Sequence, residues 1–438
     1  MEMPNEQVMG RFSFYKGAED VVSPNGDRQF SWDEAASLVR QSLTDAANAR
    51  NLSFLFGSGC SSLHAPGRGE VGIPTMGPMA KAFLAQKPEE ADATYITVTE
   101  RNELHQGLGL DIDAVEFSSN LERLMEYLHS ARFVLKSAAS EELKKLAGTV
   151  NLVISKITSH VLTVCTKGPF AVGDESVLRL YLTFYQKLVF RDRALPRPWV
   201  FTTNYDLFNE TAMDRRGIPY CNGFSGTVER RFNPAVFRYT LAEQLDISSQ
   251  KWSAVDGFIY LCKLHGSVNW VEDGKTLFPV REMQSLTGNA AERVMIYPTP
   301  AKQSASFASP YADLFREFHT RVVRDQSVLV TVGYSFGDEH INNIIFQALT
   351  IPNFRLIAFA PPNAEGVLKT LRELEDPRIW LIGGQGSGPG RHAHYFDTFI
   401  ESFMPDAPGG KVDLAVGKVL ASLISAQAAD NEVRDGHG

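Results

Sequence analysis

Short apolar segments alternate with amphipathic ones from residue 198 to residue 404, and this alternation constrains the fold more than any other feature of the chain. The segments with the length and apolar content of buried strands are PWVFTTNYD, FIYLCKLHGSVNW, RVMIYPTP, SVLVTVGYSF, NFRLIAFAPPN and RIWLIGG. The segments with apolar residues three and four apart, typical of helices, are YADLFREFHTRVV, DEHINNIIFQALT, EGVLKTLRELED and HYFDTFIESFM. Such alternation predicts an α/β, Rossmann-like, doubly wound parallel sheet covered by helices on both faces.

The segment NLSFLFGSGCSS, which begins at residue 51, predicts a further buried strand followed by a tight loop. Helical spacing without strands dominates the stretch between this loop and residue 198, which predicts an inserted helical subdomain. Helix packing alone is the simplest interpretation of that insert. We therefore predict an N-terminal arm (1–30), an α/β domain (31–75 and 198–404), a helical insert (76–197) and a C-terminal helix and tail (405–438).

Composition narrows the class of protein. The chain has 438 residues and a formal net charge of −8, which gives no overall attraction for nucleic acid. Its four cysteines are far apart and form no C-x-x-C pair, so neither a disulfide framework nor a four-thiolate zinc site is indicated. The N-terminus lacks the apolar core of a signal peptide, and the apolar runs are too short to span a bilayer. We expect a cytoplasmic protein with no metal and no membrane contact.

Ligands of a doubly wound sheet bind at the carboxyl ends of its strands, so the loops there are informative. The first loop is Gly57-Ser58-Gly59-Cys60-Ser61, whose glycines and hydroxyls suit close approach to a phosphate. It is neither a complete G-x-G-x-x-G nor a P-loop. The second is Thr202-Thr203-Asn204-Tyr205-Asp206, which suits a ribose and a polar head group but equally an ordinary Asx-type turn.

The third loop, Lys263-Leu264-His265-Gly266-Ser267, presents a histidine at a strand end, which makes His265 a candidate general base. A purely structural histidine is the alternative. The fourth loop, Gly333-Tyr334-Ser335-Phe336-Gly337-Asp338, offers Gly333 and Ser335 for another phosphate or ribose contact. For Asp338 the favoured interpretation is the N-cap of the following helix.

Together these loops resemble, in the same chain order, the four signature elements of the sirtuins. The resemblance implies an NAD⁺ site in which Gly57, Ser58, Gly59, Cys60 and Ser61 form the pyrophosphate loop. It further implies that Thr203, Asn204 and Asp206 face the nicotinamide ribose and carboxamide. By the same resemblance His265 lies beside that ribose, and Gly333 and Ser335 line the phosphates and the adenosine ribose. Pro362-Asn363 and Gly383-Gly384-Gln385-Gly386 match loosely as the adenosine end.

Three departures separate the chain from the sirtuin deacylases. No cysteine follows Cys262, so the paired C-x-x-C zinc module is missing, and VNWVEDGKTLFPV predicts a hairpin in its place. Thr203 replaces the glutamine of the second element, and the acyl-peptide loop survives only as Gly72-Ile73-Pro74. The chain instead resembles the bacterial antiphage-defence sirtuin relatives, a group to which the segment Asn120-Leu121-Glu122-Arg123-Leu124 is also similar.

This resemblance implies an NAD⁺ glycohydrolase that depletes NAD⁺ during abortive infection, with Asn204 and His265 as catalytic residues and NAD⁺ as substrate. It also implies gating, through homo-oligomerisation or a partner such as a HerA-like hexameric ATPase. Two alternatives stay open: a non-catalytic NAD⁺ or ADP-ribose sensor within a larger complex, and an NAD-dependent protein deacylase or ADP-ribosyl transferase.

Overall fold

The computed structural model describes part of the chain, and every structural statement below refers to that part. The described residues are 11–23, 30–65, 69–85, 95–137, 139–192, 194–246, 251–272, 279–284, 293–295 and 310–405. The predicted helix in the C-terminal tail lies outside them.

Eighteen strands are present in the described residues. They are β1 (Ser13–Lys16), β2 (Glu19–Asp20), β3 (Asn51–Phe56), β4 (Ser62–Ala65), β5 (Gly69–Gly72), β6 (Trp199–Thr202), β7 (Tyr220–Cys221), β8 (Phe224–Ser225), β9 (Arg230–Phe232), β10 (Ala242–Asp246), β11 (Lys251–Ala254), β12 (Ile259–Lys263), β13 (Gly266–Glu272), β14 (Val280–Glu282), β15 (Arg293–Met295), β16 (Ser327–Val332), β17 (Arg355–Phe359) and β18 (Ile379–Gly383).

The described helices number eleven, apart from short 3₁₀ turns. They are α1 (Trp32–Ala47), α2 (Met76–Ala85), α3 (Val98–Leu108), α4 (Leu121–Leu135), α5 (Glu141–Thr166), α6 (Ser176–Leu188), α7 (Phe208–Arg216), α8 (Tyr311–Val322), α9 (Glu339–Leu349), α10 (Val367–Glu373) and α11 (Phe396–Thr398), which continues as a π-helix over Phe399–Phe403.

A nine-stranded sheet with the order β2-β1-β18-β17-β16-β3-β6-β12-β7 forms the centre of the protein. Its strands from β18 to β7 are all parallel, and β1 and β2 extend one edge in antiparallel pairing. The chain moves from β3 to β6 and β12 on one side, then returns to β16 on the other side of β3. The order therefore reverses between β3 and β16, and such a switch point opens the crevice in which doubly wound sheets bind ligands.

Both faces of the sheet are buried, because alternate side chains of one strand enter different apolar cores. Phe54 and Phe56 of β3 belong to the core that α1, α6 and the C-terminal helix cover, whereas Leu55 belongs to the core under α8, α9 and α10. This arrangement confirms the predicted doubly wound α/β fold.

The insert between β5 and β6 is helical, as the periodicity predicts. In α4 the buried stripe consists of Leu121, Leu124, Met125 and Leu128, and α4 packs along α5. The last helix, α6, lies directly on the sheet, where Phe184 contacts Phe56 with ring centroids 4.9 Å apart.

Two details differ from the sequence-based expectation. Part of segment 1–30, interpreted as an arm, joins the sheet as β1, and Phe14 is fully buried against Trp380 of β18. The segment FIYLCKLHGSVNW contains two strands rather than one. Gly266 adopts φ = +87°, which favours glycine, and the chain turns there from β12 in the central sheet to β13 in a second, five-stranded sheet.

The predicted hairpin in place of the zinc module is present as the antiparallel pair β13–β14, with Trp270 opposite Glu282. Within the described residues no helix has both the length and the apolar character to cross a bilayer.

Candidate functional site

A cavity of about 600 Å³ opens at the carboxyl ends of β3, β6, β12 and β16. The strand-end loops line part of it, and α2, α4 and α5 of the insert line the rest together with the segment before α2. The predicted site residues that line it are Gly57, Ser58, Ser61, Thr203, Asn204, Asp206, His265 and Ser335. The parallel sheet brings these distant segments together because the carboxyl ends of its strands share one edge.

The first and fourth loops touch each other through their glycines. Gly57 N donates to Val332 O and Gly59 N donates to Gly333 O, at 3.0 and 3.1 Å. A Cβ on Gly57 would overlap the carbonyl oxygen of Gly333. Gly333 itself has φ = +62°, and a Cβ there would lie 2.6 Å from Cys60 N. These glycines therefore allow β3 and β16 to end side by side at the switch point.

We expect Gly333→Ala to lower the free energy of unfolding by about 1–3 kcal/mol, because it combines left-handed backbone strain with a steric overlap. Urea denaturation measures the change. Gly217→Ala is the matched control, because Gly217 has φ = +63° but no atom within 4 Å of an added Cβ. Equal losses in the two variants would show that the contact between the loops adds nothing.

Asn204, Ser61 and Asp206 form a directed chain of hydrogen bonds at the base of the cavity. Asn204 Nδ2 donates to Gly57 O at 2.9 Å and to Ser61 Oγ at 2.8 Å. Ser61 Oγ donates to Asp206 Oδ2 at 2.5 Å, and Asp206 Oδ1 accepts from Phe208 N at 3.0 Å. A carbonyl oxygen such as Gly57 O only accepts, so the amide group of Asn204 must face it. The described residues offer Asn204 Oδ1 no partner, which leaves it as an acceptor for a ligand.

Lys263 supports this loop from beneath, and its side chain is only 1 % exposed. Its Nζ donates to Ser267 Oγ at 2.7 Å and to the carbonyl oxygens of Tyr205 and Asp206. Nζ also lies 3.1 Å from Glu210 Oε1. Burial raises the pKa of Glu210, and the Lys263 charge opposes that rise. One buried cation therefore fixes the backbone that carries Asn204 and Asp206.

His265 is paired with Asp338 across the cavity mouth, with Nε2 3.0 Å from Asp338 Oδ2. The other oxygen of Asp338 accepts from the backbone amides of His340 and Ile341, at 2.9 and 3.1 Å, and so caps α9. A carboxylate cannot donate, so the neutral imidazole must hold its proton on Nε2 and keep a lone pair on Nδ1. The described residues offer Nδ1 no hydrogen bond. In this tautomer the imidazole can accept a proton at Nδ1.

Asp338→Asn separates the two roles of this side chain. Asparagine caps helices as well as aspartate does, so the free energy of unfolding should change by less than about 0.5 kcal/mol. The imidazole loses its carboxylate partner, and misorienting such a base is costly in hydrolytic triads. We expect the rate of the reaction proposed below to fall by up to about 10⁴-fold, as it does for the same substitution in a hydrolytic triad. Chemical denaturation checks the stability and initial rates check the activity, both on one preparation. An unchanged rate would exclude a positioning role for Asp338.

Residues 198–382, from β6 to β18, match the model of a family described as SIR2-like domain. The match covers fewer than half of the 438 residues, and the Gly57–Ser61 loop lies outside it. No curated protein matches the chain. The match supports similarity to a sirtuin-like family and is compatible with an activity that uses NAD.

Three of the predicted site residues do not line the cavity. Gly59 and Gly333 instead pack the two loops together, as described above. The Cys60 thiol is fully buried and donates to Val332 O at 3.1 Å. Burial raises the pKa of Cys60, so the thiol stays protonated. The loosely matched segments 362–363 and 383–386 are likewise absent from the described lining.

Several other residues that line the cavity were not predicted from the sequence. Asp338 was interpreted as a helix cap, and that prediction is confirmed, but its second oxygen belongs to the site. The insert contributes Met76, Met79, Asn120, Glu122, Arg123, Glu126, Val161 and Cys165. Helical periodicity identifies which residues of the insert are buried but not which neighbour they face. The only sequence feature that pointed to the insert was the similarity of segment 120–124 to the defence sirtuin relatives. The described residues contain no cluster of three or more His, Cys, Asp or Glu side chains suited to a metal ion.

Proposed function

We propose that the protein is an NAD⁺ glycohydrolase, which cleaves NAD⁺ to nicotinamide and ADP-ribose. The observation that carries the proposal is that Asn204 and His265 line one cavity. The amide oxygen of Asn204 has no partner among the described residues, and Nε2 of His265 faces the Asp338 carboxylate. A deacylase or a sensor draws no support from a specific feature of this cavity.

The reaction replaces the bond between ribose C1′ and the nicotinamide nitrogen with a bond from C1′ to a water oxygen. Nicotinamide departs with the electron pair as a neutral molecule, which leaves an oxocarbenium-like ribose in the transition state. In the proposed mechanism Asn204 Oδ1 accepts a hydrogen bond from a ribose hydroxyl or from the attacking water. His265 Nδ1 then takes the proton that this water loses.

The direct test is to incubate the purified chain with NAD⁺ alone and to measure nicotinamide and ADP-ribose by chromatography. Equimolar release of both without any peptide is the expected result. Nicotinamide release that requires an acylated peptide would indicate a deacylase. Binding of ADP-ribose with no turnover under any condition would indicate a sensor.

Asn204→Ala should lower nicotinamide release by about a hundredfold, comparable with the loss of one preorganised polar group in other active sites. Because the Gly57 carbonyl and Ser61 also lose a donor, the variant should be less stable by about 1–3 kcal/mol. The rate is therefore measured at a temperature where circular dichroism shows the variant fully folded. A folded variant with the wild-type rate would exclude this role for Asn204.

The proposal extends to biological role and control. An enzyme that consumes NAD⁺ continuously would harm its host, so we propose that activity depletes NAD⁺ in antiviral defence and is gated by self-assembly or by a HerA-like ATPase. Rates measured across a range of protein concentrations, with and without such an ATPase, test the gating. A specific activity that is the same at every protein concentration, with and without the ATPase, would contradict the proposed gating.

A further inference from the structure

Negatively charged side chains outnumber positively charged ones around the cavity. Five carboxylates line it within the described residues, from Glu122, Glu126, Asp206, Asp338 and Glu339. Arg123 is the single lysine or arginine in the same set. A dinucleotide carries its negative charge on the pyrophosphate, which such a lining would repel without a cation nearby.

Two of these carboxylates are already satisfied within the fold. Asp206 accepts from Ser61 and from the backbone of Phe208, and Asp338 accepts from His265 and caps α9. Both carboxylates therefore hold the loop wall in place. The positive charge that could bind an anion therefore comes from the insert, on Arg123.

Arg123 is held weakly where it now lies. Its guanidinium is 3.2 Å from Glu126 on the same helix and 4.0 Å from Glu116, and its side chain is 53 % exposed. Ion pairs this exposed contribute little free energy, so exchanging a carboxylate for a phosphate costs little. The planar guanidinium also matches two phosphate oxygens at once.

The backbone of Arg123, by contrast, is fixed. Its neighbours Leu121, Leu124 and Met125 are at most 1 % exposed in the core between α4 and α5. Asn120 is the N-cap of α4, and its Oδ1 accepts a hydrogen bond from Arg123 N at 3.0 Å. The fixed helix thus presents a half-exposed cationic side chain at the cavity.

We propose that Arg123 binds the pyrophosphate of the dinucleotide, so that the helical insert supplies a specificity-determining residue of the site. The inference rests on the proposed function only in taking an NAD-type dinucleotide as the ligand. It assigns the insert a role beyond helix packing, namely selection of substrates that carry phosphate.

The test compares Arg123→Ala and Arg123→Gln with the wild type and with Arg132→Ala, an exposed arginine on the same helix that does not line the cavity. Isothermal titration with ADP-ribose measures binding without chemistry. We expect the Kd to rise by about tenfold to a hundredfold in both Arg123 variants, as for loss of a charge-assisted hydrogen bond, and to stay unchanged in Arg132→Ala.

A second readout separates phosphate recognition from a structural role. The kcat/KM for NAD⁺ should fall by the same factor in the Arg123 variants, whereas that for nicotinamide riboside, which lacks phosphate, should stay near the wild-type value. Equal losses for both substrates, an unchanged Kd for ADP-ribose, or no binding of ADP-ribose to the wild type would each overturn the inference.

The outcomes also distinguish this inference from the proposed function. If ADP-ribose binds in an Arg123-dependent way but the wild type never releases nicotinamide, the glycohydrolase proposal fails and the role of Arg123 stands. If nicotinamide is released and the Arg123 variants behave like the wild type, the reverse holds.

Discussion

Replacing His265 by alanine should lower the rate of nicotinamide release by roughly 10²–10⁴-fold, the usual contribution of a positioned general base. The physical reason is that no other described side chain of the cavity combines an imidazole with a carboxylate partner. His340 also lines the cavity, but its imidazole makes no hydrogen bond to an acid among the described residues. The measurement is the initial rate of nicotinamide formation at saturating NAD⁺. A variant that keeps more than about a tenth of the wild-type rate would contradict the assignment of His265 as the base.

His319→Ala is the matched control for this experiment. His319 lies on α8, is exposed, and contacts Gln347 Oε1 at 3.0 Å outside the cavity. Its replacement should leave the rate unchanged. Asp338 keeps its two hydrogen bonds to the α9 backbone when the imidazole is lost, so the His265 variant should stay folded. Urea denaturation checks this.

Lys263→Met should lower the free energy of unfolding by about 3–5 kcal/mol, the largest effect on stability that we predict. The substitution leaves the Glu210 carboxylate buried without its cation, and it removes the donor to the carbonyl oxygens of residues 205 and 206. Guanidinium denaturation followed by circular dichroism measures the loss. A change below about 1 kcal/mol would show that the pair is not needed for stability.

Two further observations test the cause of that loss. Adding Glu210→Gln to Lys263→Met should restore part of the stability, because the uncompensated charge is gone. Burial already raises the pKa of Glu210, so in the single variant the folded chain takes up a proton at a higher pH than the unfolded chain does. The stability of Lys263→Met should therefore rise as the pH is lowered from neutral towards the ordinary carboxyl range of about 4.5, and level off below it.

Much of the site could be predicted from the strand-end loops alone. Gly57, Ser61, Asn204 and His265 all line one cavity, as expected for polar residues that follow parallel strands. The glycines were predicted to approach a phosphate, yet Gly59 and Gly333 approach each other. Sequence indicates that a position lacks a side chain, but it does not indicate which neighbour requires the space.

The periodicity and loop chemistry of the sequence determined the doubly covered parallel sheet, the helical nature of the insert and the order of the four loops. Those properties depend on residues close together in the chain, so a local pattern is enough to reveal them. Only the tertiary structure decided that β3 and β16 end side by side, that Lys263 supports the Asn204 loop, that Asp338 serves both a helix and His265, and that Arg123 of the insert lines the cavity. These are contacts between segments far apart in the chain, set by strand order and helix packing, and no local pattern specifies them.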